Sequence, residues 1–183
     1  MPTSRHLVNY LALQAQWLIT VWGAGRGLWW PALVALAGFA LVHVALGGSL
    51  RREAGLVGLA VLLGALVDSV MAASGLVHYA APLPWSHLAP AWILALWAGL
   101  ALTLRHSLAW LMRRPPLAVL VMGIGGPVSY LGAQSGFDAV RFSAPVFAGL
   151  VTLGALWAAA TGVLAMAALH RQRAPRVHPV SPS

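Results

Sequence analysis

The sequence predicts an all-α fold: a polytopic transmembrane bundle of six helices with both ends of the chain on the cytoplasmic side. Composition is the first of three observations behind that expectation. The 183 residues are 60% hydrophobic and only 8% charged, whereas a soluble domain carries roughly 25% charged and 45–50% apolar residues. Such a chain has too little polar surface to cover itself in water, so its solvent is mostly lipid. The second observation is length. Six apolar stretches, at 7–24, 28–48, 54–74, 88–111, 116–135 and 144–169, approach or exceed the ~20 helical residues that cross a bilayer core about 30 Å thick. The third is the position of charge. In a six-span chain, Arg5, Arg51, Arg52, Arg113, Arg114, Arg171, Arg173 and Arg176 fall on one side; Arg26 and Arg141 fall on the other, and Arg105 lies within a span. The arginine-rich side is the cytoplasmic one. Trp22, Trp29, Trp30, Trp85 and Trp92 gather towards the opposite interface, where amphipathic rings anchor.

The elements follow in order. The first stretch comes after Arg5 but contains Asn9, Gln14 and Gln16, which makes it too polar and too long for a signal-peptide core. It is read as a span, with Asn9, Leu13, Gln16 and Thr20 on one protein-facing stripe. Short connections at 25–27, 49–53 and 112–115 have the lengths that join neighbouring antiparallel helices. Only 75–87 leaves room for extra structure. Span five contains Gly125-Gly126-Pro127 near its middle. Proline removes a helix hydrogen bond and crowds the carbonyl four residues back, at Gly123, so a kinked or broken full span is expected. A re-entrant segment there would invert the sixth helix and turn Arg171, Arg173 and Arg176 outward, against the charge rule. Span six carries Gly154, Ala158 and Gly162 in register as a packing seam. The proline-containing segment 170–183 reads as a short disordered cytoplasmic tail. No soluble domain and no internal repeat is detectable.

Two groups of residues are candidates for chemistry. Asp68, counted at ~1.5 Å per residue, lies ~20 Å from the start of span three. A central aspartate costs ~2.5–3.5 kcal/mol on insertion, while each Leu or Val returns ~0.3–0.6. The nine Leu and Val residues of 54–74 offset that cost. Asp68 shares a four-residue stripe with Ala60, Gly64 and Ala72, a face of small residues suited to helix packing, so it points into the bundle. It is either a proton or substrate site or a hydrogen bond joining two helices. With it belong Gly125, Gly126 and Pro127, and Ser129 and Tyr130 just after them, because backbone groups freed at a break need partners or line a cavity. Together these six form the candidate intramembrane polar or ligand site. The second group is a cytoplasmic-side polar cluster of Asn9, Gln16, His43, Glu53, Arg105 and His106, assembled from depth alone. Its bland alternative is a set of separate interfacial side chains, with Arg105 snorkelling to the surface along its aliphatic stem.

Absences narrow the chemistry. Position argues against nucleic acid as a partner, because the arginines lie in short clusters between apolar runs and form no single basic face. With no Cys and no Lys there is no thiolate chemistry, P-loop or Schiff base. Neither G-x-S-x-G nor H-E-x-x-H occurs, the histidines are scattered, and Asp68 is the sole deep carboxylate. No metal and no cofactor is expected, and the reading leans away from an enzyme.

The residues Asn9, Gln16-Trp17, His43, Arg52-Glu53, Asp68, Leu96-Trp97, Ser107-Leu108, Trp110-Leu111 and the string Gly125-Gly126-Pro127-x-Ser129-Tyr130 together resemble a bacterial membrane-protein family, domain of unknown function 2878. The resemblance spans nearly the whole chain, and the Gly-Gly-Pro-x-Ser-Tyr string is its most specific part. It implies a small multi-pass protein of the bacterial inner membrane and carries over no catalytic residues. The expected partners are the lipid bilayer and either copies of the chain or other membrane subunits. The first functional expectation is a small transporter or permeation subunit with Asp68 near the route. The others are a lipid-related enzyme or accessory factor built on the cytoplasmic cluster, and a structural or assembly partner.

Overall fold

The computed structural model describes residues 2–173. It contains α1 (Pro2–Ala24), α2 (Pro31–Ala45), α3 (Leu50–Ala73), β1 (Val77–Tyr79), α4 (Ala91–Leu104), α5 (Ala109–Met112), α6 (Pro115–Phe137), β2 (Val140–Phe142) and α7 (Val146–Arg173). The fold is all-α apart from one small two-stranded ribbon, and six long helices follow the order of the six apolar stretches. Three of them, Leu50–Ala73, Pro115–Phe137 and Val146–His170, are long and apolar enough to cross a membrane; Pro31–Ala45 and Ala91–Leu104 are apolar but shorter.

Local chemistry sets the boundaries. Proline opens α2 and α6 within the first two positions, where a missing N–H costs nothing. Gly47 and Gly75, just beyond α2 and α3, have φ of 88° and 71°, a left-handed conformation that glycine adopts without steric cost. Helix α3 starts at Leu50, so Arg51, Arg52 and Glu53 belong to its first turn and not to a connection. Glu53 is the acidic residue there, where a negative charge is favoured by the helix dipole.

The fourth apolar stretch departs most from expectation. The helix expected over 88–111 stops at Leu104, and a turn at 105–108 separates it from the four-residue α5. The backbone N–H groups of His106 and Leu108 both donate to the Thr103 carbonyl, and Ser107 is held from across the bundle by Asn9 (below). The fifth stretch is a full-length helix, as expected, and of the kinked and broken alternatives it is not the broken one. Helix α6 is continuous from Pro115 to Phe137 with Pro127 inside it, so Gly125-Gly126-Pro127 does not break it. Its backbone is approached closely by α7. A Cβ on Gly123 would stand 3.1 Å from Ala158 Cβ, and one on Gly154 would stand 2.9 Å from the Gly123 carbonyl oxygen, the group that Pro127 crowds. The Gly154, Ala158, Gly162 seam thus lies along α6, with backbones at close approach. Helix α7 runs on through His170 to Arg173, four residues into the segment expected to be a tail; 174–183 lie outside the described residues.

Residues 75–87 hold the ribbon's first strand. Strands β1 and β2 pair antiparallel, Val77 with Phe142, His78 with Arg141 and Tyr79 with Val140. The alternation of a strand turns Val77, Tyr79, Val140 and Phe142 inward and His78 and Arg141 outward. Ser143 fastens the ribbon to the end of α3, its Oγ donating to the Gly75 carbonyl at 2.5 Å.

Apolar side chains fill the interior and also cover much of the exterior. Large apolar side chains such as Leu41, Leu62, Leu66 and Phe147 (76% exposed) face outward, while Asn9, Gln16, Thr20, His43, Glu53, Asp68, Thr103 and Thr161 are buried. An apolar exterior this extensive fits a lipid surrounding.

Candidate functional site

Two polar clusters occupy opposite ends of the bundle, each built around one buried carboxyl group. At the ribbon end, Asp68 is 0% exposed. Its stripe of small residues lets α4 approach: a Cβ on Gly64 would overlap the Trp97 indole, and that indole Nε1–H donates to Asp68 Oδ2 at 2.9 Å. Tyr79, turned inward by the ribbon, donates its hydroxyl to Asp68 Oδ1 at 2.7 Å. Tyr130 of α6 donates to the same oxygen in a short hydrogen bond. Burial, and then the neighbouring Asp68, hold the Tyr79 phenol well above its ordinary pKa, so it remains a donor. Trp157 of α7 packs on Trp97 with ring centroids 4.5 Å apart, and Gly126 makes room for it, since a Cβ there would stand 2.5 Å from the Trp157 ring. The carboxyl group of α3 is therefore the common acceptor for donors from β1, α4 and α6. Ser129 belongs elsewhere: its hydroxyl donates within its own helix to the Gly126 carbonyl at 2.7 Å.

At the other end the fold gathers His43 from the last turn of α2, Glu53 from the first turn of α3, and Arg105 and His106 from the turn after α4. Arg105 Nη1 is 3.7 Å from Glu53 Oε2, and His106 Nε2 is 3.5 Å from Glu53 Oε1. The two imidazoles meet edge to face, with centroids 4.5 Å apart. Gly48 lies against the tip of the His43 ring, since a Cβ there would stand 2.2 Å from His43 Nε2. Three atoms of this cluster are buried without a hydrogen-bond partner, namely His43 Nε2, His106 Nε2 and Glu53 Oε2. Asn9 stands beside the cluster and holds the turn. Its Oδ1 accepts from Ser107 Oγ at 2.7 Å, and its Nδ2 donates to the Leu102 carbonyl at 3.4 Å.

Gln16 does not join this group. It lies two turns further along α1, where its Nε2 donates to the Ala95 carbonyl at 2.7 Å, and it fills the space left by Gly99. Of the five residues expected near Asp68, only Tyr130 bonds to it. Gly126 makes room for the Trp157 ring, Pro127 and Ser129 belong to the α6 backbone and its local bonding, and a Cβ on Gly125 would meet nothing within 4 Å. Sequence reading missed Tyr79 and Trp97 as partners of Asp68. The Val77–Tyr79 alternation was the available signal for the first; the second is one tryptophan among nine.

Two cavities adjoin these clusters. One of about 520 Å³ is lined by Arg5, His6, Asn9, His43, Leu46, Gly47 and His106. The other, about 920 Å³, is an elongated groove between α1, α4 and α6. It runs from His6 and Ser107 at the histidine end to Val21 and Val140 at the ribbon end, over a mostly apolar floor that includes Trp17, Leu100 and Met122. His6 lines both.

Residues 6–163 match the model of a family described as "Protein of unknown function (DUF2878)". The chain belongs to that family. The match takes in both clusters of this DUF2878 chain, from Asn9 to Trp157. No curated protein and no solved structure matches it.

Proposed function

We propose that this DUF2878 protein is a six-span protein of the bacterial inner membrane, with both termini cytoplasmic, that binds and acts on an anionic lipid or lipid-like amphiphile. Its working end is the His43–Glu53–Arg105–His106 cluster on the cytoplasmic side. The observation that carries this reading is the pairing of two cavities of different character that share His6 as a lining residue. A basic pocket walled by Arg5, His6, His43 and His106 stands beside an apolar groove that runs along the bundle. The pocket suits an anionic head group and the groove suits a hydrocarbon chain, with a few polar groups fixing orientation.

The chemistry of the two ends supports the same choice. Asp68 accepts from three donors, an arrangement in which its polar capacity is spent within the fold. The histidine end instead has buried nitrogen and oxygen atoms without partners, the condition expected where a ligand completes the set. A transport route through Asp68 would require breaking hydrogen bonds from three elements at once. The six-span arrangement gains support from the alternation of helices, which puts the start of α1, the end of α2, the start of α3 and the end of α4 around one polar cluster.

Membrane lipid extracts test the reading. A deletion strain complemented with wild-type protein should differ in lipid composition from one complemented with Glu53→Gln at equal membrane abundance. Identical extracts, under envelope stress as well as in unstressed growth, would overturn it.

A further inference from the structure

We propose that His43, Glu53 and His106 form a binding site for one divalent transition-metal ion of the zinc class. This deepens the proposed function, since it uses the same cluster, but it stands on separate observations. The three side chains come from three different elements, and each offers a ligand atom such that all these atoms lie within 4.8 Å of one another. Ions of this class take imidazole nitrogen and carboxylate oxygen at about 2.0–2.2 Å, which places neighbouring ligand atoms about 3–3.5 Å apart. The 3.5 Å between His106 Nε2 and Glu53 Oε1 already has that span, and the remaining separations close with side-chain movement of about an ångström.

The state of the ligand atoms points the same way. His43 is 1% exposed, and His106 Nε2 and Glu53 Oε2 are buried with no hydrogen bond, each held only by an ion-pair contact of 3.5 or 3.7 Å. A buried imidazole nitrogen with nothing to bond costs free energy that an ion would recover. Arg105, 3.7 Å from Glu53 Oε2, is placed to orient the carboxylate while its Oε1 faces His106. Two histidines and one carboxylate leave coordination positions open, and the pocket beside His43 and His106 is where a head-group oxygen or water would fill them. The set lacks thiolate, which favours zinc, iron, cobalt or manganese over copper(I).

The test uses the full chain, purified in detergent through a histidine-free tag and stripped with a chelator. Zinc alone, titrated by calorimetry, should bind at one equivalent per chain. Cobalt in its place should give visible d–d absorption of a nitrogen–oxygen site. His43→Gln and Glu53→Gln should each weaken binding by about 100-fold or more, while His87→Gln, at the other end of the bundle, should leave it unchanged. Should the His43 variant fail to fold, Glu53→Gln and the wild-type stoichiometry decide. Wild-type protein that binds no zinc, or binding that survives both ligand substitutions, would overturn the site. One-equivalent binding lost in these variants, with lipid extracts unaltered, would support the site and sink the lipid reading alone.

Discussion

The two ends of the bundle hold similar parts in different states of completion. At the ribbon end a carboxyl group receives two hydroxyls and an indole N–H, each from a different element. At the histidine end a carboxyl group is faced by two imidazoles and a guanidinium, yet the closest ion-pair separations are 3.5 and 3.7 Å and three polar atoms go unpartnered. Buried polar groups in folded proteins are nearly always satisfied. A satisfied cluster reads as part of what holds the helices together, and an unsatisfied one beside a cavity reads as a place for something else. Both carboxyl groups are buried, but Asp68 accepts three hydrogen bonds while Glu53 is held only by ion-pair contacts.

That contrast can be broken by stability measurements in detergent, followed by thermal unfolding. The largest effect is expected from Asp68→Ala, which strands three buried donors at ~1–3 kcal/mol each in the limit of no relaxation. A net loss of roughly 3 kcal/mol is expected, with Asp68→Asn costing about half because an amide oxygen still accepts. Wild-type unfolding behaviour for Asp68→Ala would mean the carboxyl group does not hold the helices. A smaller effect, within about 1 kcal/mol of wild type, is expected for His43→Leu, since replacing an unpartnered polar ring by an apolar side chain removes an unmet hydrogen-bonding demand. A loss as large as that of Asp68→Ala would erase the distinction between the two ends. The smallest is Ser129→Ala, where only a local hydrogen bond to the Gly126 carbonyl is removed; a change of about 0.5 kcal/mol is expected. A drop of several kcal/mol there would tie Ser129 to the Asp68 cluster after all.

Much of the helix order was legible in the sequence because each apolar run registers on its own, without knowledge of its neighbours. Its failures fall where neighbours decide. The end of the fourth helix depends on Asn9 holding Ser107 from across the bundle, a contact that local hydropathy cannot sense. Pro127 lies inside a continuous helix whose backbone is approached closely by α7 at Gly123 and Gly154, a contact between distant segments that local sequence does not report. The inward face of Asp68 was visible from its four-residue stripe of small side chains. Tyr79 was not, because it reaches the carboxyl group through a strand paired with residues far along the chain. Depth correctly grouped His43, Glu53, Arg105 and His106, whose helices are neighbours. It misplaced Gln16, which lies seven residues, about 10 Å, further along the helix from Asn9. The metal-ligand geometry had no sequence signature, since its three residues share no short spacing.

The knot around Asp68 also has a history in time. Tyr79 follows Asp68 by 11 residues, Trp97 by 29 and Tyr130 by 62. At a synthesis rate of ~5–20 residues per second, the last donor leaves the ribosome about 3–12 s after the carboxyl group. During that interval the carboxyl group's donors are made one by one, each on a later segment, and the set is complete only once Tyr130 has been synthesised.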